Sequence, residues 1–412
     1  MTTEQTFVIV GASLAGAAAA EALRSRGFDG RVVLVGEEPA RPYERPPLSK
    51  GYLAGQSGLD KVYVHEAGFY ADRSIELRTG TTVVGLDPER SVVTLAGGET
   101  IPYDRLLLAT GAAPRRLAVP GANLPGVHYL RTLADADNLA AAADEASSVA
   151  VIGAGWVGSE VAATLRQRGL PVALVEPAAT PLERVLGREV GGIYRDLHAD
   201  HGVALHLGQG AASLHGGDRV EEVRTTGGAR IAADLVVVGV GAVPRTELAA
   251  GAGLLLGNGV LVDEYLQSSH PGIFAAGDVA SAWHPWYRTH VRVEHWANAC
   301  HQGAAAAASM MGVREPYERV PYFFSDQYDL GMEYTGYCPT WDQVVLRGDP
   351  AGREFIAFWL AGGQVVAGMN ANVWDVGETL RELVTNRPRV EPARLADVDV
   401  PLEGLAAEVT RA

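Results

Sequence analysis

Lysine is almost missing from this chain: it occurs only at Lys50 and Lys61, and the other 32 of the 34 basic residues are arginine. Arginine serves wherever charge alone is needed, so each lysine is a candidate for chemistry that arginine does not perform. Cysteine is equally scarce. Cys300 and Cys338 stand 38 positions apart and the first 299 residues contain none, so neither a disulfide framework nor a CxxC or CxxxxC redox pair can be written. No uninterrupted apolar run approaches the ~18 residues of a membrane-spanning helix. The first apolar stretch, residues 7–10, leads into a glycine loop without a basic flank, so no signal peptide is expected and the chain reads as cytoplasmic. Basic charge is in deficit, with 49 acidic residues and a formal net charge of −15. Nucleic acid and anionic membrane both need basic surface, so a small molecule or a locally contacted protein is the expected partner. No metal site is expected.

What is present is a globular composition, 412 residues with 47% hydrophobic and 20% charged, enough for two to three domains. Its main pattern is an internal repeat. Phe7-Val-Ile-Val-Gly11-Ala-Ser13-Leu-Ala15-Gly16 opens a helical pattern to about Arg26, followed by the apolar run 32–35 and Glu37. The same order recurs from Val149 through Gly153, Gly155, Trp156, Val157 and Gly158, with a helix to about Arg168 and the run 172–175 ending at Glu176; Gly153 lies 142 positions after Gly11. Strand, glycine turn, helix, strand and acidic residue make a dinucleotide-binding βαβ unit. The first glycine makes the tight turn, the second lets backbone approach a pyrophosphate, and the third lets helix and strand pack, with the helix N-terminus toward the phosphates. One such fingerprint is weak evidence, but two complete copies are not explained by coincidental turns. In the first copy Ser13 replaces the middle glycine, and this copy reads as the tight-cofactor site. In the second, Glu176 suits a free ribose 2′-hydroxyl and would repel a 2′-phosphate, and residues 177–181 contain no arginine, so NADH is expected over NADPH. Arg184, eight positions on, is a cation within sequence reach of that ribose, so use of both NADH and NADPH stays open.

Two further strands run into small-residue turns that mark crossings between domains: Tyr103-Asp104 through Ala109-Thr110-Gly111, and residues 235–238 followed by Gly239-Val-Gly241-Ala-Val-Pro244. A third, Gly272-Ile-Phe-Ala-Ala-Gly277-Asp278, sets a carboxylate after a glycine at a strand end, where it serves a ligand hydroxyl or caps a helix.

The order of GASLAG, Arg41-Pro42-Tyr43-Glu44-Arg45-Pro46-Pro47-Leu48-Ser49-Lys50, ATG, GAGWVGSE, GVGAVP, FAAGD and Phe324-Ser325-Asp326-Gln327 closely resembles the FAD-dependent NADH:ferredoxin reductases, which serve cytochrome P450s and ring-hydroxylating dioxygenases. The likeness runs over nearly the whole chain. It implies an α/β fold like that of glutathione reductase, with two Rossmann-like domains and a C-terminal α+β domain. The FAD domain would take about 1–115 and 246–320, the NADH domain about 116–245 and the C-terminal domain about 321–412. FAD contacts would fall on Gly11, Ser13, Ala15, Gly16, Glu37, Arg45, Lys50, Val83, Ala109, Thr110, Gly111, Arg131, Gly277, Asp278 and Trp296. Glu37 would hold the adenosine ribose, Asp278 the ribityl chain, and Pro46 and Pro47 would line the isoalloxazine. NADH contacts would fall on Gly153, Gly155, Trp156, Val157, Gly158, Glu160, Glu176, Gly241 and Phe324.

Lys50 and Glu160 are the catalytic candidates, because the resemblance pairs them beside flavin N5. A lysine there stabilises negative charge on reduced flavin, and Glu160 orients it. Without the resemblance they read as a surface lysine and a first-turn glutamate favoured by the helix dipole. Trp156 takes the family's aromatic position that shields the flavin, and by itself also reads as packing. Phe324 departs from the family's pattern, in which Trp is frequent, so the resemblance does not carry an electron exit through tryptophan to this position.

The implied reaction is hydride transfer from NADH to FAD followed by single-electron transfer to a [2Fe–2S] ferredoxin. An acidic ferredoxin would need a local basic patch on this acidic chain, for which Arg288, Arg292, Arg314 and Arg319 are candidates; arginines also serve simply as solvated surface. Both monomer and homodimer fit. Other readings are an NADH reductase of rubredoxin or a small radical, and a signalling flavoprotein resembling apoptosis-inducing factor. Disulfide reductases and thiol peroxidases need cysteine near the flavin, which the first 299 residues do not supply.

Overall fold

The computed structural model describes residues 5–407, which fall into two compact units. The first comprises the chain up to Pro46, Gly58–Ala113 and Ala242–Arg319. Its centre is a five-stranded parallel sheet in the order Ile273–Ala275, Arg105–Leu108, Thr6–Val10, Arg31–Val35, Ile75–Arg78. The central strands show runs of buried residues rather than alternation, because a parallel sheet is covered on both faces. Val10 lies opposite both Val35 and Leu108, so three strands end at one edge and set their following turns, at Gly11, Gly36 and Ala109, side by side. Helices Leu14–Ser25 and Trp296–Met310 pack on each other through small side chains, as their alanine-rich sequences allow. The approach is close enough that a Cβ at Gly303 would stand 2.3 Å from the Ala15 carbonyl oxygen. A three-stranded antiparallel sheet (Val83–Asp87, Val92–Leu95, Thr100–Pro102) and a four-stranded sheet (Leu256–Gly257, Gly259–Val262, Ala280–His284, Thr289–Val291) complete the unit.

The second unit comprises Pro47–Ser57, Pro114–Gly241 and the chain from Val320. Its parallel sheet runs Ala204–Leu207, Val172–Glu176, Val149–Ile152, Leu235–Val238, Val127–Tyr129, with helix Trp156–Gln167 following strand Val149–Ile152. Val149 sits opposite Val172 and Leu235, just as Phe7 sits opposite Val32 and Arg105, so the repeat in the sequence is a repeat of register as well as of element order. A second sheet, five-stranded and antiparallel, is built from the C-terminal segment in the order Tyr322–Gln327, Leu330–Gly336, Gln364–Ala371, Glu354–Ala361, Gln343–Asp349. Phe355, Ala357 and Trp359 from this sheet join a core with Leu186, Val190, Tyr194 and Leu197 of helix Glu183–Asp200, and helix Gly377–Asn386 packs on strand Gln364–Ala371. The protein is therefore a mixed α/β chain with two Rossmann-like parallel sheets and a C-terminal antiparallel domain. Among the described residues no helix is long and apolar enough to cross a membrane, and no cluster of His, Cys, Asp and Glu could hold a metal ion.

The helix contact at Gly303 generates a prediction. Gly303→Ala forces a methyl group into backbone, so it lowers stability by about 1–3 kcal/mol, read as a fall in the urea midpoint of the near-UV circular dichroism signal.

Candidate active site

In the first unit the glycine turn leaves no room for a side chain at Gly11 or at Gly16. Gly11 has φ +118°, and a Cβ there would lie 2.1 Å from the Ala109 oxygen; at Gly16 it would lie 2.0 Å from the Gly11 oxygen. Helix Leu14–Ser25 starts from Ser13 in extended backbone with no side-chain cap, so the N–H groups of its first turn are offered to a ligand. Asp278 lies within the short turn Gly277–Val279 behind an Ala276 cap, so it is not itself a helix N-cap. The Gly277 N–H donates to Gln302 Oε1 at 2.9 Å, and a Cβ on Gly277 would touch the Ala15 Cβ at 3.0 Å, which sets this turn against the helix start. Gly11, Ser13, Ala15, Gly16, Ala109, Gly277 and Asp278 are thus brought together. Thr110 Oγ1 donates to the Arg245 carbonyl (2.8 Å), whose own N–H donates to the Gly111 oxygen (3.0 Å).

From that anchor the Arg245 guanidinium reaches Glu37 in a two-pronged pair, with Nη2 2.9 Å from Oε2. This hydrogen bonding holds the Glu37 carboxyl below the ordinary glutamate value of 4.5. Arg45 donates to the Tyr43 hydroxyl (3.2 Å) and to Glu38 Oε1 (3.1 Å), and the Tyr43 hydroxyl donates to Glu38. Burial works against its charge, but Tyr43, Glu38 and Asp278 more than offset that. Val83 is buried in the small antiparallel sheet, Pro46 opens the turn Pro46–Ser49, and Trp296 begins its helix 38% exposed.

In the second unit the pattern repeats. A Cβ at Gly153 (φ +98°) would lie 2.4 Å from the Gly239 oxygen, and one at Gly158 would lie 1.9 Å from the Gly153 oxygen, whereas Gly155, the uncapped helix start, faces open space. Glu176 accepts the Ala154 N–H (2.7 Å) and the Ala178 N–H (3.0 Å), so the acid braces the turn it faces. Gly241 has φ +104° and accepts the Arg115 N–H at 2.9 Å. Val157 is 44% exposed, while the Trp156 ring stands edge-on to Phe323 and Tyr194 with centroids 4.8 and 6.3 Å away. Arg131 gives its backbone N–H to Asp135 Oδ2 (3.1 Å), and Arg184 is exposed on helix Glu183–Asp200.

Lys50 and Glu160 meet in this unit, Nζ to Oε1, at 3.0 Å, with side chains only 18% and 8% exposed. Lys50 follows the turn Pro46–Ser49, where the Pro47 oxygen accepts its N–H at 3.1 Å. Glu160 lies on the buried face of helix Trp156–Gln167. Its second oxygen accepts from Ser49 Oγ (2.5 Å), and Oε1 also accepts from Ser325 Oγ (2.7 Å). The Phe324 ring centroid is 5.4 Å from Nζ, within cation–π range. Glu160 is buried and Lys50 half-buried, so the two form a partly covered, hydrogen-bonded pair and not two solvated surface groups. Ser49, Ser325 and Arg245 escaped the sequence reading. Both serines lie inside quoted motifs, but no spacing signals that their hydroxyls reach one carboxylate.

Of the candidate docking arginines, Arg288, Arg314 and Arg319 are exposed; Arg292 pairs with Glu294 and donates to the Asp278 carbonyl (3.1 Å), and Arg314 lies over the Tyr265 ring at 4.1 Å. Burial pushes the Cys300 and Cys338 thiols up to about 11 and about 12, so both stay protonated at neutral pH.

Residues 5–303 match the family described as pyridine nucleotide-disulphide oxidoreductase, and residues 322–406 match the reductase C-terminal family. The chain is 40% identical to rhodocoxin reductase of Rhodococcus erythropolis, over 97% of its length and 93% of the relative's. It is 39% identical to the ferredoxin–NAD(+) reductase component of the anthranilate 1,2-dioxygenase system of Burkholderia cepacia, over 96% and 98%. Among solved structures, the reductase in the covalent putidaredoxin reductase–putidaredoxin complex matches with a TM-score of 0.94 and 36% identity, covering 99% of both chains.

The Glu37–Arg245 pair carries a pH signature. Because the folded carboxyl is held below 4.5, its contribution to stability is present above that pH and is lost as pH falls through the folded value. Arg245→Met should therefore cost no more than about 1 kcal/mol at neutral pH for so exposed a pair, and the difference from wild type in urea midpoint should vanish in strong acid.

Proposed function

The chain belongs to the pyridine nucleotide-disulphide oxidoreductase family and is an NADH:ferredoxin oxidoreductase that uses FAD; we propose how its residues divide that work. Bound FAD supplies the conversion between the two electrons of NADH and the single electrons a ferredoxin accepts. The fit to FAD rests on the first glycine turn, which excludes a side chain at Gly11 and Gly16 and leaves helix N–H groups uncapped for a pyrophosphate. Glu37, kept ionised by Arg245, accepts from the adenosine ribose, and Asp278 accepts from the ribityl chain. Residues 1–115 and 246–320 serve as the FAD domain and residues 116–245 as the NADH domain. In the latter, the open side of Gly155 admits the NADH pyrophosphate. Glu176 accepts from the ribose with the lone pairs its backbone bonds leave over.

The observation that carries this reading is the pairing of Lys50 with the buried Glu160 in a chain that has no pair of reactive thiols. Lys50 fixes a positive charge, and Glu160, held by two hydroxyls, fixes the direction in which that charge points. Negative charge developing nearby during electron uptake is then met by a cation already in place, with no reorganisation at the moment of reaction. The acceptor is a [2Fe–2S] ferredoxin, and the protein works in the cytoplasm. An anaerobic NADH titration tests the reading: the flavin band near about 450 nm should bleach and recover rapidly when a [2Fe–2S] ferredoxin is added. Recovery with rubredoxin but not with ferredoxin would reassign the acceptor.

Two variants probe the residues. Lys50→Met should slow flavin bleaching by NADH in stopped flow by at least about tenfold, and an unchanged rate would remove Lys50 from the chemistry. Glu176→Gln keeps an acceptor for the Ala154 N–H but drops the charge, so it should raise NADPH use relative to NADH in kcat/KM by about fivefold or more.

A further inference from the structure

Ser325 occupies a place where an apolar side chain would be expected. In strand Tyr322–Gln327 the residues Phe323, Ser325 and Gln327 point inward and are buried, Ser325 at 2% exposure. A buried hydroxyl without a partner costs about 1–3 kcal/mol, and here the partner is the Glu160 carboxylate at 2.7 Å. Glu160 itself is nearly out of water and accepts three donors, Lys50 Nζ, Ser49 Oγ and Ser325 Oγ. Ser49 grips Oε2 and Ser325 grips Oε1, so the two hydroxyls fix the plane of the carboxylate. Each hydroxyl is anchored by backbone of a different origin. Thr164, one turn beyond Glu160 on the same helix, donates to the Ser49 carbonyl at 2.7 Å, and Ser325 sits in an antiparallel ladder opposite Met332. The buried phenol of Tyr194, whose hydroxyl makes no hydrogen bond, is pushed up by burial and then by the charges of Glu160 and Asp326.

We propose that Ser325 is a positioning residue through which the C-terminal sheet holds Glu160, and hence Lys50, in its orientation. The inference rests on the reading of Lys50 and Glu160 given above but is tested apart from turnover. Because Lys50 and Lys61 are the only lysines, and Lys61 is exposed, acetylation of the holoenzyme by N-hydroxysuccinimidyl acetate, read by peptide mass spectrometry, gives a Lys50/Lys61 ratio with its own internal reference. A tethered, half-buried ammonium is slower to acylate than an exposed one. In Ser325→Ala the ratio should rise by about threefold or more, and Ser325→Thr, which keeps the hydroxyl, should restore it. Glu160→Gln should raise the ratio at least as far, and the Ser325→Ala/Glu160→Gln double variant should match Glu160→Gln alone, because a residue acting through Glu160 has nothing left to act on. An unchanged ratio in Ser325→Ala, or full additivity in the double variant, overturns the proposal. Unchanged Lys61 labelling and flavin content show that each variant is folded. If Lys50→Met left flavin bleaching unaffected while the labelling behaved as expected, the catalytic reading would fall and the positioning of Lys50 by Ser325 would stand.

Discussion

A carboxylate almost withdrawn from water costs several kcal/mol unless a cation and hydrogen-bond donors meet it, and at Glu160 three separate stretches of chain supply them. The Pro46–Ser49 turn brings Ser49 and Lys50, the second nucleotide-type helix brings Glu160 itself, and the C-terminal sheet brings Ser325. Removing any one leaves a charge or a hydroxyl buried without its partner. This node explains why a short excursion, Pro47–Ser57, is grouped with the second unit while its flanks belong to the first. Thr164 to the Ser49 carbonyl and Arg168 to the Leu53 carbonyl fasten that excursion along one helix.

The two glycine turns obey one steric rule and fasten their acids in different ways. In both, the third glycine would drive a Cβ to about van der Waals overlap with the first glycine's oxygen, at 2.0 Å for Gly16 and 1.9 Å for Gly158. Glu37 is held by a guanidinium fork, and Glu176 by backbone N–H groups. A fork from Arg245 ties the first acid to the segment just after strand Ala242–Pro244, where the chain returns to the first unit, so that acid depends on the chain's second crossing. The second acid depends only on its own turn.

The family takes its name partly from disulfide chemistry, yet this chain's two thiols are half-buried, protonated and isolated in sequence. The reactive group we propose is instead one of its two lysines. A compact ammonium on a flexible stem suits a site that must present a point charge from inside a crowded pocket, where a planar guanidinium would need more donors satisfied. That accounts for Lys50 surviving in a sequence that otherwise writes arginine.

The two-fold repeat, the strand ends and the acids at Glu37 and Glu176 were legible in the amino-acid order, because each follows from local geometry: a turn that admits only glycine, a buried strand without alternation, a charge at a fixed offset. Lys50 stood out by the scarcity of lysine and by family resemblance, since its own surroundings in the sequence also suit a surface lysine. Asp278 as something other than a helix cap was not legible, since a cap and a turn interior share one local pattern, and only the seating of Gly277 against Ala15 separates them. Arg245 reading Glu37, and Ser49 and Ser325 converging on Glu160, join residues far apart in the chain through side chains of unremarkable type. The sequence by itself determined the elements and the chemistry available at each. The tertiary structure alone decided which hydroxyls and cations meet a buried carboxylate, because the cost of burying that charge is met only by groups the folded chain brings within hydrogen-bond reach.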